Sequence, residues 1–311
     1  MNLIVSGFEN LEKKLARRMW EQLEITGTIP IFKIHMELPG KETVAVLSNR
    51  GDQHIGLESA NIELMKADYK TTQDKYRGRL FVIDTGDYIE NALKTSIGHN
   101  YDIAIADPDE QKRIAIDMQE ELDEHLYGKQ QYYSMKFITL KNQKQARYAR
   151  RIGFLGNHEY RTRRIGGCWL NRELYGGRGV IDGWIQAFID IKITNPRLKK
   201  VSAKTYRIWA AHRLTNSAGT SVATLIKNFD KRKSLVNADI YVCGHYHRGF
   251  VVPSEKFSND GKIKKVMYAT NPSPAFPTEY AEWAMYTPIM SAYSNEIFLP
   301  IDKYDNAYSI V

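Results

Sequence analysis

Five short apolar runs in this chain stop in the same way. "TVAVLSNRGDQH" runs into Asp52 and His54, "RLFVIDTGD" into Asp87, "RIGFLGNHE" into Asn157 and His158, "YRIWAAH" into His212, and "DIYVCGHYH" into His245 and His247. Each run has the length of a strand, and longer polar or helical stretches separate them, the alternation expected of an α/β or mixed αβ architecture. In open αβ sheets ligands bind outside the carboxyl ends of the strands, so five such ends are expected to converge on one rim. Five of the eight histidines fall there.

The residue types suggest a metal centre. In an extended segment residues i and i+2 point to the same side, which puts His245 and His247 in position to act together. Two divalent ions about 3.5–4 Å apart need a bridging carboxylate and several nitrogen and oxygen donors. Asp87 is the natural bridge. Imidazoles, carboxylates and an amide, with no thiolate, suit manganese, iron or zinc better than calcium or an iron–sulfur cluster. The chain has only two cysteines, Cys168 and Cys243, and no CxxC pair. That excludes a disulfide framework, and Cys243, ending an apolar run, is expected to be a buried reduced thiol.

The ordered set "GDQH", "GDYIEN", "GNHE", "AAH" and "GHYH", spanning residues 51 to 247, resembles the calcineurin-like metallophosphoesterases, nearest their DNA-repair exonuclease and phosphodiesterase branch. The resemblance implies a four-layer αββα sandwich, two mixed β-sheets flanked by helices, with a binuclear site at one edge. It implies that Asp52, His54 and His247 hold one metal and Asn157, His212 and His245 the other, with Asp87 shared. It also implies that His158 is the general acid for the leaving group and that Glu90 orients it, a glutamate standing where related protein phosphatases have an aspartate. His35, His99 and His125 match no motif and are expected to be structural.

One departure bears on substrate. Asn91 stands where the protein phosphatases keep a phosphate-gripping arginine, whose bidentate fork suits a monoester dianion. A phosphodiester is therefore the better fit, with Asn91 and, from a basic stretch between Lys141 and Arg164, Arg161, Arg163 and Arg164 as expected substrate contacts. The net charge of +8 favours a polyanionic partner, and Phe276, Tyr280, Trp283 and Tyr286 are candidates for base stacking. The expected activity is a manganese-dependent phosphodiesterase or nuclease on DNA or RNA. A phosphomonoesterase or small-nucleotide hydrolase is the alternative, and a non-catalytic nucleic-acid-binding scaffold is a third.

Residues 1–42 are expected to be an extension with a basic amphipathic helix, Leu11, Leu15, Met19 and Leu23 lying on one face. Residues 43–311 are expected to form the catalytic domain, with insertions around 94–145 and 165–200 and an aromatic, proline-rich C-terminal segment. Within the first insertion a helix is signalled by Asp107 as its cap, Pro108 at the first position, Ile114, Met118 and Leu122 as its apolar stripe and Gly128 as its stop. With no membrane-length apolar run and no secretion signal, the chain is expected to be intracellular.

Overall fold

The computed structural model describes residues 31–91, 103–127, 133–137, 145–149, 151–164, 186–198, 203–214, 221–257, 262–273, 294–302 and 306–309; the side chains of 126, 127, 133–137, 145–149, 151, 160 and 162–164 lie outside the description. The expected N-terminal helix, His99, Cys168, the four C-terminal aromatics and the side chains of Arg163 and Arg164 therefore fall outside the described residues.

The runs "TVAVLSN" and "RLFVID" form β2 (Val44–Arg50) and β3 (Leu80–Asp84). With β6 (Arg151–Gly153) and β12 (Asn295–Pro300) they build a four-stranded sheet, β12-β2-β3-β6, parallel except at β12. A second sheet has eight strands, in the order β10-β11-β9-β8-β7-β1-β4-β5. Its members are β1 (Ile31–Glu37), β4 (Tyr133–Phe137), β5 (Gln145–Ala149), β7 (Gln186–Thr194), β8 (Lys204–Ala211), β9 (Ile240–Cys243), β10 (Phe250–Phe257) and β11 (Ile263–Thr270). β8 runs parallel to β9 and β9 to β11, so the ends of β8 and β9 that carry the histidines share one edge.

Alternation along each strand sets the layers, because successive side chains point to opposite faces. From β2, Ala45 and Leu47 join Ile34, Ile83, Ile189, Ile208 and Val242 in the core between the sheets, while Val46 faces outward onto Tyr76 and Phe298. From β8, Ile208 and Ala210 face inward, and Trp209 and Ala211 pack against Leu225 and Phe229 of a helix over Val222–Leu235. Apolar on both faces, these strands read as continuous runs, as in sheets covered on both sides. The result is the expected four-layer αββα sandwich of two mixed sheets. Among the described residues no helix is long and apolar enough to cross a membrane.

Helix α1 (Ile62–Lys75) is capped by Asn61, whose side chain accepts from Leu64 N. Helix α2 (Pro108–Tyr127) is the signalled one: Asp107 Oδ1 accepts from Asp109 N at 3.0 Å, Met118 and Leu122 are buried, and Ile114 is partly so. These side chains pack on Met65 and Tyr69 of α1 and on Ile55, Tyr88 and Ile89 from the loops that carry the site.

The expected boundary at residue 42 differs from the structure. β1, "IFKIHME", lies inside the larger sheet, parallel to β7 and antiparallel to β4, with Phe32, Ile34 and Met36 buried. Its strict period-two alternation is a strand signal in its own right, and it makes residues 31–37 part of the sandwich. Likewise β4 and β7, within the two expected insertions, are inner strands of that sheet. His35 Nε2 lies 2.8 Å from Thr194 Oγ1 on β7, and His125 pairs with Asp74 at 3.0 Å, so both have structural partners. Cys243 is a free, buried thiol.

Candidate active site

The carboxyl ends of β2, β3 and β6 meet those of β8 and β9 along one edge of the sandwich, and the loops leaving them are bent hard. Asp52, His54, Asp87, Asn91, His245 and His247 all have positive φ, between 43° and 75°. A non-glycine residue in this region is uncommon and costs of order 1–3 kcal/mol, and such residues cluster at functional sites. Hydrogen bonds hold the bends: Asp52 N donates to Gly86 O at 2.8 Å, His54 N to Asp87 O at 3.1 Å, and Gly244 N to His212 O at 2.9 Å.

The bends turn the side chains inward onto one another. Asp52, His54 and His247 form one group, Asp87, His212 and His245 a second, and His54, Asp87 and His158 a third between them; within each, one donor atom per residue lies within 4.8 Å of the others. His54 Nε2 is 2.9 Å from His247 Nε2. His212 Nε2 is 2.8 Å from Asn157 Oδ1 and 3.3 Å from Asp87 Oδ2. All seven residues expected to bind metal are brought together. Two of their buried atoms, Asp87 Oδ2 and His245 Nε2, have no hydrogen-bond partner, although buried polar atoms are nearly always paired. A carboxylate oxygen and an imidazole nitrogen, both buried without a hydrogen bond beside further nitrogen and oxygen donors, fit divalent cations.

Three of the electrostatic shifts, those of His245, His247 and Asp87, agree with that fit. Burial opposes charge on His212, but Asp87 and Asp52 hold its pKa up at about 9. Burial, with His212 nearby, drives His245 down to about 3, and burial, with His54 and His245 nearby, drives His247 well below the usual range, leaving both as neutral imidazoles. Burial disfavours ionised Asp87, yet His212, His158 and His54 outweigh it and keep the carboxyl strongly acidic. Burial raises Asp52, which accepts from His245 N and Asn271 Nδ2.

His158 opens the helix α3 (Asn157–Arg164), with its amide donating to Asp87 Oδ1 at 2.9 Å. Its Nδ1 lies 2.5 Å from the main-chain oxygen of Glu90 and 3.3 Å from that residue's carboxylate, and its Nε2 lies 3.9 Å from Asp87 Oδ2. Burial resists a charged ring, but Asp87 and Glu90 push its pKa up to about 9. Arg161, one turn on, lies 3.0 and 3.2 Å from the two ring nitrogens, with about a quarter of its side chain exposed. Asn91 differs from its expected place as a substrate contact. It is fully buried, and its amide donates to the main-chain oxygen of His158 at 2.7 Å, so it steadies His158 from beneath.

Glu159 has no role expected from the sequence. Buried beneath the site, its carboxylate accepts from Asp87 N (3.0 Å), Gly156 N (2.8 Å), Tyr88 N (2.6 Å) and Ile89 N (3.2 Å). It thereby clamps the strained loop that presents Asp87. Burial and the nearby Asp87 push its pKa up, while the four amides favour the ionised form. There is no room to spare: a Cβ on Gly156 would lie 2.0 Å from Asp87 Oδ1 and 2.2 Å from its amide nitrogen. Glu159→Gln replaces one acceptor oxygen by a donor facing N–H groups. The expected cost is about 1–3 kcal/mol of stability, read from urea unfolding. Asn271, whose Nδ2 donates to Asp52 Oδ2 at 2.9 Å, likewise has no role expected from the sequence, since it stands at the start of the aromatic, proline-rich C-terminal segment.

No family model matches the chain, and no curated protein does. Among solved structures it aligns with a conserved uncharacterized protein of Streptococcus pneumoniae described as a predicted phosphoesterase, at 9% identity over 86% of this chain and 98% of that one (TM-score 0.31). It aligns also with the NAD nucleotidase of Haemophilus influenzae, at 12% identity over 86% of this chain and 49% of that one (TM-score 0.39). A third is the calcineurin-like phosphoesterase YfkN of Bacillus subtilis, at 10% identity over 86% and 88% (TM-score 0.36).

Proposed function

We propose that this chain is a binuclear metallophosphoesterase that hydrolyses phosphodiesters, with DNA or RNA as its substrate class. The observation that carries the reading is the convergence of Asp52, His54, Asp87, Asn157, His212, His245 and His247, with His158 beside them. The sulfur-free donor set favours manganese, with iron or zinc as alternatives. Bound there, divalent ions would lower the pKa of water and polarise phosphoryl oxygens.

The remaining roles belong to the chain. His158, held through Nδ1 by the main-chain oxygen of Glu90, keeps Nε2 as the nitrogen that delivers a proton to the departing oxygen. The net charge of +8 supports a polyanionic substrate. Asn91 supplies no fork for a monoester dianion, because its amide is spent on His158. One observation favours the monoester reading instead: Arg161 sits beside the acid, partly exposed. Arg161→Ala is expected to raise KM by about 10-fold and lower kcat less, consistent with the loss of a charge-assisted contact worth about 1.5–3 kcal/mol at most. Steady-state kinetics checks this.

The function is tested by manganese-dependent turnover of bis-p-nitrophenyl phosphate, p-nitrophenyl phosphate and single- and double-stranded oligonucleotides, with chelator as control. Cleavage of the diester and the oligonucleotides is expected. Hydrolysis of monoesters alone would replace the diesterase by a phosphomonoesterase, and no turnover of any phosphoester would remove the enzyme reading.

A further inference from the structure

Glu90 matches a position that, by family resemblance, orients the general acid. The distances assign it differently. Its carboxylate Oε2 is 2.7 Å from His54 Nδ1, a full hydrogen bond, and 3.3 Å from His158 Nδ1, beyond the usual range for one. His158 Nδ1 instead meets the main-chain oxygen of Glu90 at 2.5 Å. That carbonyl is present whatever side chain stands at position 90. Its peptide is anchored on both sides, Glu90 N donating to Ile55 O at 2.9 Å and Asn91 N to Gln111 Oε1 at 2.8 Å. The His158 ring is thus oriented by the backbone; the Glu90 carboxylate adds charge beside it and makes its shorter contact with His54.

We propose that Glu90 is a positioning residue for the metal ligand His54: its carboxylate accepts a hydrogen bond from Nδ1–H and so fixes the tautomer whose lone pair is on Nε2, the nitrogen that faces His247. The proposal rests on the metallophosphoesterase reading and deepens it. Ligating histidines characteristically give their other N–H to a carboxylate or carbonyl, which sets ring orientation and raises ligand basicity. His212 shows the same arrangement with a carbonyl, its Nδ1 lying 2.7 Å from Thr85 O. His54 has a charged partner in its place. The choice of glutamate follows from reach. An aspartate is shorter by one methylene, roughly 1.5 Å, and would give up the 2.7 Å bond to His54, whereas the main-chain bond to His158 would be untouched.

The two assignments predict opposite outcomes for the same variants. Mn2+ titration calorimetry on the full chain, with steady-state kinetics over a range of Mn2+ concentrations, compares wild type, Glu90→Gln and Glu90→Asp, each checked for folding by circular dichroism. If Glu90 positions His54, both variants weaken one of two Mn2+ sites by about 10–100-fold and leave the other near its wild-type affinity. The activity lost at limiting Mn2+ then returns as Mn2+ is raised. Wild-type Mn2+ affinities together with a kcat that stays low at saturating Mn2+ would return Glu90 to the acid and overturn the proposal. A general weakening of the fold would lower both affinities alike, which also overturns it. Should Glu90→Gln not fold, Glu90→Asp, which keeps the charge, makes the comparison. Failure of the underlying reading looks different, because wild type would then bind no Mn2+ at all.

Discussion

Asp87→Asn is expected to reduce bound divalent metal from two ions to at most one, and to lower phosphoesterase turnover by on the order of 10³-fold or more, beyond the 10–100-fold typical of changes one shell out from a metal. Among the described residues Asp87 is the one carboxylate that stands in two of the donor groups, with His212 and His245 in one and with His54 and His158 in another. Its Oδ1 is occupied by His158 N, while Oδ2 is buried and accepts no hydrogen bond, with His212 Nε2 3.3 Å away. Asparagine keeps the shape and the Oδ1 contact. It replaces Oδ2 by an NH2 group and removes a negative charge, and two dications about 3.5–4 Å apart are not held without a bridging anion. Elemental analysis after dialysis, beside turnover of bis-p-nitrophenyl phosphate, measures both effects. Full metal content with normal turnover would show that the bridge lies elsewhere.

Such a variant is informative because the clamp beneath it does not depend on the side chain being changed. Glu159 binds the amides of residues 87, 88 and 89, not the Asp87 carboxylate. The same fact explains why part of the site was legible in the sequence and part was not. Each expected ligand lies at the end of an apolar run of strand length, a signal that survives without any knowledge of packing, and the structure brings all seven together. Glu159 acts on backbone N–H groups some seventy positions earlier in the chain, and no residue pattern encodes that partnership.

Asn91 shows a different limit. Its position after "GDYIE" was readable, but at φ 43° its side chain turns under His158 and does not reach the rim; a residue in the left-handed region redirects its Cβ in a way that motif spacing cannot convey. β1 shows a third. "IFKIHME" carries a sound strand pattern, yet whether a strand belongs to an extension or to the middle of a sheet depends on its neighbours, here β7 and β4, which lie more than 90 residues downstream. The helix over Pro108–Tyr127 was readable almost to the residue, because cap, first-turn proline and stripe are local signals.

His158→Ala is expected to lower kcat on an oligonucleotide substrate by about 10²–10⁴-fold, the range of a positioned general acid, while leaving bound metal at the wild-type level. The main chain at this residue does the structural work and survives the change: its amide still donates to Asp87 Oδ1 and its carbonyl still accepts from Asn91. What is lost is the ring, whose pKa near 9 keeps it protonated at neutral pH. An alkoxide leaving from a sugar needs that proton; p-nitrophenolate, a far weaker base, does not. The same variant is therefore expected to lose much less on bis-p-nitrophenyl phosphate than on the oligonucleotide, and this inequality separates a proton donor from a residue that merely holds the substrate. Equal losses on both substrates would mean that His158 stabilises charge on the phosphoryl group, and loss of metal alongside activity would make it a ligand.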